Sequence, residues 1–204
     1  MNAFNIYLAG VGGQGIGLLS EILLRGADHA GLKVKAVDTH GLAQRGGIVV
    51  SSLRFGERVY SPLILEKEAD LVVALERHEA LRGAQTALKD GGTLIYYNTV
   101  WQPLDVRLNR NEQISEEMIT RQCEKGGIRE IKVFKDDLQD ARMQNVIVLA
   151  HIEKHELIPN VKTEHYLKAM DDLMRASMLE ANIRLFEEEL QAAETRGERR
   201  SSEK

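Results

Sequence analysis

The strongest constraint on this chain stands at its start. There Asn5-Ile6-Tyr7-Leu8-Ala9 leads into Gly10-Val11-Gly12-Gly13-Gln14-Gly15 and then into Ile16-Gly17-Leu18-Leu19. Ile6 to Ala9 is a short apolar run suited to a strand buried on both faces, and from Gly17 onward Leu18, Leu19, Ile22 and Leu23 take up helical spacing. Between them Gly10, Gly12 and Gly15 satisfy G-x-G-x-x-G. A turn without Cβ atoms lets backbone N–H groups approach an anion at the positive end of the new helix, and lets that helix pack close to the strand. Strand, glycine turn and helix in this order predict an α/β fold with room for a phosphorylated ligand. The plainer alternative is that the glycines serve packing alone.

At 204 residues the chain suffices for one sizeable core, so one domain over 1–194 is expected. Hydrophobic residues at 43% and charged residues at 28% are ordinary for a globular protein and argue against disorder or a membrane span. Met1-Asn2-Ala3-Phe4 carries no basic region followed by an apolar one, so the expectation is a cytoplasmic protein. Cys123 is the only cysteine, which excludes an internal disulfide and any cysteine-ligated cluster built by this chain alone. A net charge of -4 and the absence of zinc-finger or RNA-binding signatures argue against nucleic acid.

Further along, Lys33 to Asp38 predicts a second strand with Asp38 near its end, 23 residues past Gly15, where a ribose-binding acid stands in dinucleotide folds. His40-Gly41-Leu42-Ala43-Gln44-Arg45-Gly46-Gly47 then replaces the usual crossover with a polar, glycine-bearing loop. Ile48 to Phe55 resumes a strand, and Gly56-Glu57-Arg58 suits a hairpin turn into Val59-Tyr60-Ser61. Strands are expected at Ala69–Leu75, Thr93–Tyr97 and Ile131–Phe134. A helix from about Glu76 is expected to end at Gly91-Gly92, and another to be capped by Ser115 and closed by Gly126-Gly127. Asp105 to Leu108 is a candidate short strand. Asp140 to His155 predicts a helix, and Thr163 a cap for a final one. Tyr166, Leu167, Met170, Leu173, Met174, Met178, Ala181 and Leu185 then keep one apolar stripe, about 45 Å long if unbroken to Ala193. Residues 195–204 hold nothing to bury and are expected to form a disordered tail. There is no internal repeat.

Two loops carry the candidate chemistry. The first is Gly12, Gly13, Gln14 and Gly15; the second is Gln44, Arg45, Gly46 and Gly47, where a guanidinium beside exposed N–H groups suits phosphate or carboxylate. A surface ion pair accounts for Arg45 equally well. Asn98-Thr99 ends a strand where such sheets present ligand contacts. His40 has a suitable intrinsic pKa for acid–base work, although a loop hydrogen bond explains it as well. No nucleophile–base arrangement is spaced recognisably, Cys123 is expected to be inert, and His78, His151, His155 and His165 make no metal motif. Catalytic and metal-ligating residues are therefore expected to be none.

Taken together, Gly-Val-Gly-Gly-Gln-Gly at 10–15, His-Gly-Leu-Ala-Gln-Arg-Gly-Gly at 40–47, Ser-Pro-Leu-Ile at 61–64 and Ala-Asp-Leu-Val-Val-Ala at 69–74 resemble the gamma-type subunit of 2-oxoacid:ferredoxin oxidoreductases. Within that group they look most like the indolepyruvate type, where the corresponding chain is called beta. The likeness continues through Gly91-Gly92 and Asn98-Thr99 to Asn182 and Phe186, and is weakest over 101–134. It implies a single gamma-type domain of Rossmann-like three-layer architecture, with a mostly parallel sheet, a hairpin excursion near Arg54 to Tyr60 and a long C-terminal helix. It also implies a subunit of a complex that converts a 2-oxoacid and coenzyme A to an acyl-CoA and passes electrons to ferredoxin. Thiamine diphosphate and iron–sulfur clusters would lie on the partner subunit, with coenzyme A as a shared cosubstrate and no cofactor held tightly by this chain. Gly12, Gly13, Gln14 and Gly15 would form one cradle, and Gln44, Arg45, Gly46 and Gly47 the loop facing it. Alone, such a chain would be inactive and free to form a homodimer. Read from the residues alone, a free-standing NAD(P)- or FAD-dependent oxidoreductase using Gly10 to Gly15 and Asp38 stays open, as does a nucleotide-sensing or assembly module.

Overall fold

The computed structural model describes residues 3–40, 47–101, 113–138 and 140–197. Six strands form one sheet: β1 (Phe4–Val11), β2 (Val34–His40), β3 (Ile48–Phe55), β4 (Ala69–Ala74), β5 (Leu88–Tyr97) and β6 (Arg129–Val133), in the order β2-β3-β1-β4-β5-β6. β1–β4, β4–β5 and β5–β6 pair in parallel, whereas β1–β3 and β2–β3 pair antiparallel. The helices are α1 (Ile16–His29), α2 (Arg77–Thr86), α3 (Glu116–Gly126), α4 (Gln144–Lys154), α5 (Thr163–Leu173) and α6 (Ala176–Gly197), with a 3-10 turn at Ala141–Met143 before α4.

The sheet lies between two apolar layers, as alternating strand side chains require. Ile6, Leu8, Leu71 and Val73 point to the larger core with α1, α4, α5 and α6. Val72, Ala74, Leu94 and Tyr96 point to the smaller one with α2 and α3. The expected α/β, three-layer, mostly parallel architecture is therefore present.

Several boundaries differ from expectation for physical reasons. The antiparallel excursion is β2–β3, with Val34 opposite Phe55 and His40 opposite Val49, and so lies earlier in the chain than the expected hairpin near Arg54 to Tyr60. The expected strand at Val59 to Ser61 does not form; Arg54 Nη1 holds the carbonyls of Ser61 and Leu63, each at 3.1 Å, as a side-chain clamp in place of a ladder. Gly91-Gly92 does not end α2. It lies within β5, where the pairing with β4 jumps from Ala69–Leu88 to Leu71–Thr93. Ser115 occupies the N-cap of α3 without a side-chain cap bond. Thr163 is the first residue of α5, not its cap, and its N–H and Oγ1 both donate to Glu153 Oε1 of α4, at 2.8 and 2.7 Å.

The final apolar stripe is broken at Met174, which is extended at φ -95 and ψ 142. Tyr166 and Phe186 have ring centroids 6.4 Å apart, whereas twenty residues of straight helix would separate them by about 30 Å. The stripe folds back so that α5 packs on α1 and α6 on α4. α6 alone is about 33 Å long from its 22 residues. It runs through Thr195 to Gly197, and the rest of the expected tail lies outside the described residues, as do the candidate strand at Asp105 to Leu108 and the loop residues Gln44, Arg45 and Gly46.

Candidate functional site

The glycine turn is built around a side chain that faces inward. Gln14 is fully buried; its Oε1 accepts from the Val11 N–H at 2.7 Å and its Nε2 donates to the Leu75 carbonyl at 2.8 Å. Both ends of the amide are spent on the backbone, so Gln14 shapes the turn and joins it to the end of β4. Gly15, at φ +83, is the N-cap of α1 and supplies no side-chain cap. The first N–H groups of α1 have no intrahelical acceptor, and their dipole end is positive. Gly12 donates its N–H to the Gly47 carbonyl at 2.8 Å, which brings the described end of the second loop against the first.

A pocket of about 430 Å³ opens here. One wall is Val11, Gly12, Gly13 and Gly15 with Ile16, Gly17 and Leu18 of α1; Val49 of β3 closes one side. The facing wall comes from the far end of the chain, with Asp140, Arg142, Met143 and Asn145 before and within α4, and Met178 and Asn182 on α6. Asn145 Nδ2 donates to the Gly15 carbonyl at 3.3 Å and so ties the two helix starts together. Asp140 caps the 3-10 turn through the Arg142 N–H at 2.9 Å, while Arg142 Nη2 meets the same carboxylate at 2.6 Å. That guanidinium holds the Asp140 carboxyl down at about 2, so the pair stays charged at any working pH. The Arg142 side chain is 75% exposed and can reach an incoming anion. The chemistry on offer is an anion receptor at one end and a mostly apolar trough with two carboxamides at the other.

Other candidates are otherwise engaged. Asp38 accepts from Ser20 Oγ at 3.3 Å, and β3 stands between its strand and β1, so it does not flank the glycine turn as a ribose-binding acid must. Asn98 accepts from Arg77 Nε at 2.7 Å and donates to Glu116 Oε1 at 2.9 Å, and the Thr99 carbonyl accepts from the Arg77 N–H; these groups join α2 to α3. Burial pushes the Cys123 thiol up to about 12, which leaves it un-ionised. His151 and His155 stand ring to ring at 5.9 Å, and burial lowers the latter to about 4. His165 Nδ1 accepts from the Lys162 N–H. Among the described residues no three His, Cys, Asp or Glu side chains could hold a metal, and no described helix is long and apolar enough to cross a membrane.

Sequence reasoning did not single out Arg142 or Asn145, and it met Asn182 only through resemblance. The available signal was a polar residue at core-facing spacing: Asn145 adjoins the buried run Val146 to Ala150, and Asn182 follows Met178 by one turn.

Comparison with known proteins adds family to geometry. Residues 5–192 match the pyruvate ferredoxin/flavodoxin oxidoreductase family. The chain is 34% identical to indolepyruvate oxidoreductase subunit IorB of Archaeoglobus fulgidus over 185 residues, 88% of this chain and 90% of that one. It is 30% identical to IorB of Methanothermobacter thermautotrophicus over 194 residues, 93% and 97% of the two chains. The fold is similar to the gamma subunit of a keto/oxoacid ferredoxin oxidoreductase from Geobacter sulfurreducens, with a TM-score of 0.65 and 19% identity over 94% of this chain and 99% of that one. It is also similar to 2-oxoglutarate:ferredoxin oxidoreductase from Magnetococcus marinus, with a TM-score of 0.69 and 16% identity over 96% of this chain and 32% of that one. The free-standing NAD(P)- or FAD-dependent alternative is not favoured, by these relationships or by the position of Asp38. The chain belongs to the pyruvate ferredoxin/flavodoxin oxidoreductase family and is a subunit of a 2-oxoacid:ferredoxin oxidoreductase.

Proposed function

We propose that this subunit forms one wall of the coenzyme A side of an active site shared with a second chain, in a complex of the indolepyruvate type. The reaction is the oxidative decarboxylation of a 2-oxoacid: the bond to the carboxylate breaks to release carbon dioxide, the coenzyme A thiol gives up its proton to the medium as its sulfur joins the acyl group, and the two electrons released pass to ferredoxin. Thiamine diphosphate and the iron–sulfur clusters would be carried by the partner subunit and supply the carbanion and electron chemistry there. A chain whose lone cysteine is buried suits that division, and suits a reducing cytoplasmic setting. The isolated chain would be inactive, with a homodimer open to it.

The observation that carries this reading is the uncapped start of α1 opening into a largely apolar pocket. Coenzyme A has phosphates for the N–H groups and for Arg142, and a flexible, mostly apolar arm for the trough. Gly13 and Gly15 would offer their backbone to the phosphates, Gly12, whose N–H is held by the Gly47 carbonyl, would let them come close, and Gln14 would hold the shape of the turn. Gln44, Arg45, Gly46 and Gly47 would close the cradle from the hairpin loop. The test is Arg45→Ala in the complex reconstituted with its partner, titrated with coenzyme A and separately with 2-oxoacid. The expected result is a KM for coenzyme A raised about tenfold or more with assembly intact. An unchanged coenzyme A requirement would sink the role given to this loop.

A further inference from the structure

We infer that the C-terminal helix belongs to the binding machinery, and that Asn182 on α6 is a positioning residue whose Oδ1 accepts a hydrogen bond from an amide N–H on the uncharged arm of coenzyme A. The inference rests on the coenzyme A reading of the pocket and deepens it.

Asn182 is 6% exposed and sits on the core-facing side of α6, where an apolar residue would otherwise serve. Its orientation follows from hydrogen-bond chemistry. The Met178 carbonyl one turn earlier can only accept, so the amide nitrogen must face it, at 2.7 Å. The oxygen is thereby turned away from its own helix; among the described residues it accepts no hydrogen bond, and it keeps some contact with solvent. Asn182 and Met178 both line the pocket, so the free acceptor belongs to a wall of that cavity. An acceptor that still meets solvent on a pocket wall is open to a ligand N–H, which would take the place of water there.

The other pocket carboxamide behaves differently. Asn145 spends Nδ2 on the Gly15 carbonyl and Oδ1 on the Val146 N–H, so it acts as a strut between helices. Asn182 is the one of the two left open. Around it the lining is apolar and adaptable, with Met143 and the half-exposed Met178, as suits a flexible chain interrupted by amides. The pantetheine arm of coenzyme A is of that chemistry: short alkyl segments joined by two secondary amides, each bearing one N–H.

The test uses the complex reconstituted with its partner. Asn182→Leu keeps the approximate volume and removes the acceptor. We expect KM for coenzyme A to rise about tenfold while kcat, KM for the 2-oxoacid and the unfolding midpoint stay near the parent values, a split that a merely structural role would not produce. An unchanged KM for coenzyme A would overturn the proposal. Hydrogen–deuterium exchange on the unmodified complex needs no variant to fold. Coenzyme A should protect both 12–18 and the first half of α6. Protection at 12–18 alone would overturn the role of Asn182 and leave the coenzyme reading intact; protection at neither would remove that reading as well.

Discussion

Two adjacent parallel strands end in turns that lead into helices, and the two turns are built in opposite ways. After β4, the buried Glu76 is the N-cap of α2, and its carboxylate accepts from the N–H groups of His78 at 3.0 Å and Glu79 at 2.6 Å. The positive end of that helix is neutralised from within. After β1, the corresponding position is Gly15, which has no side chain to offer, and α1 begins uncapped at the rim of a pocket. Gln14 bridges the two turns through the Leu75 carbonyl, so both rest on one support. The lesson is that a helix start is left open to an incoming anion only where no side chain caps it.

The comparison can be broken most severely at the shared support. Gln14→Leu leaves the Val11 N–H and the Leu75 carbonyl buried without partners, and we expect a loss of about 4 kcal/mol in a denaturant titration, at one to three for each unmet group. Gly15→Ala comes next. Its φ of +83 disfavours a side chain, and the new Cβ would stand 2.6 Å from Asn145 Nδ2, so a loss of about 3 kcal/mol is expected together with the Asn145 tie. An equal or smaller loss than in Gly13→Ala would show that the tie does not matter, because Gly13, at φ +103, has open space where its Cβ would go and should lose only about 1 kcal/mol through strain.

The capped turn should also be the one that senses pH. Burial, outweighing the Arg82 guanidinium against it, raises the Glu79 carboxyl from its ordinary 4.5 to about 7. Between those values the folded protein holds a proton that the unfolded chain has released. The associated stability is therefore present below about pH 4.5 and lost as pH rises through 7. Unfolding titrations at pH 5 and pH 8 should differ by about 2 kcal/mol more in the parent than in Glu79→Gln. Equal differences in the two proteins would remove Glu79 as the sensor. The open turn contains no comparable group, since Gln14 does not titrate.

The glycine turn was legible because its signals are local: an apolar run, glycines at positive φ and a change of period occur within fifteen residues. The same held for β4, whose apolar run needs no partner to be recognised. Legibility failed where distant contacts override local pattern. Nothing between Thr163 and Ala193 interrupts the apolar stripe, and only the packing of α5 on α1 and α6 on α4 accounts for the break at Met174. Arg54 looks like an ordinary strand residue until it is seen holding the carbonyls of Ser61 and Leu63 in place of a ladder.

By itself the sequence determined an α/β chain with a glycine cradle at the start of its first helix, and through its motifs the family to which it belongs. Tertiary structure alone decided that β3 separates Asp38 from that cradle, that Gln14 faces inward, and that Asn145 and Asn182 come from the far end of the chain to face the turn. The reason is separation: Asn145 and Gly15 lie 130 residues apart. Backbone sterics and periodicity act over a few neighbours and leave their mark on short stretches, whereas a pocket is defined by side chains that meet only after the sheet and both its helical layers have packed.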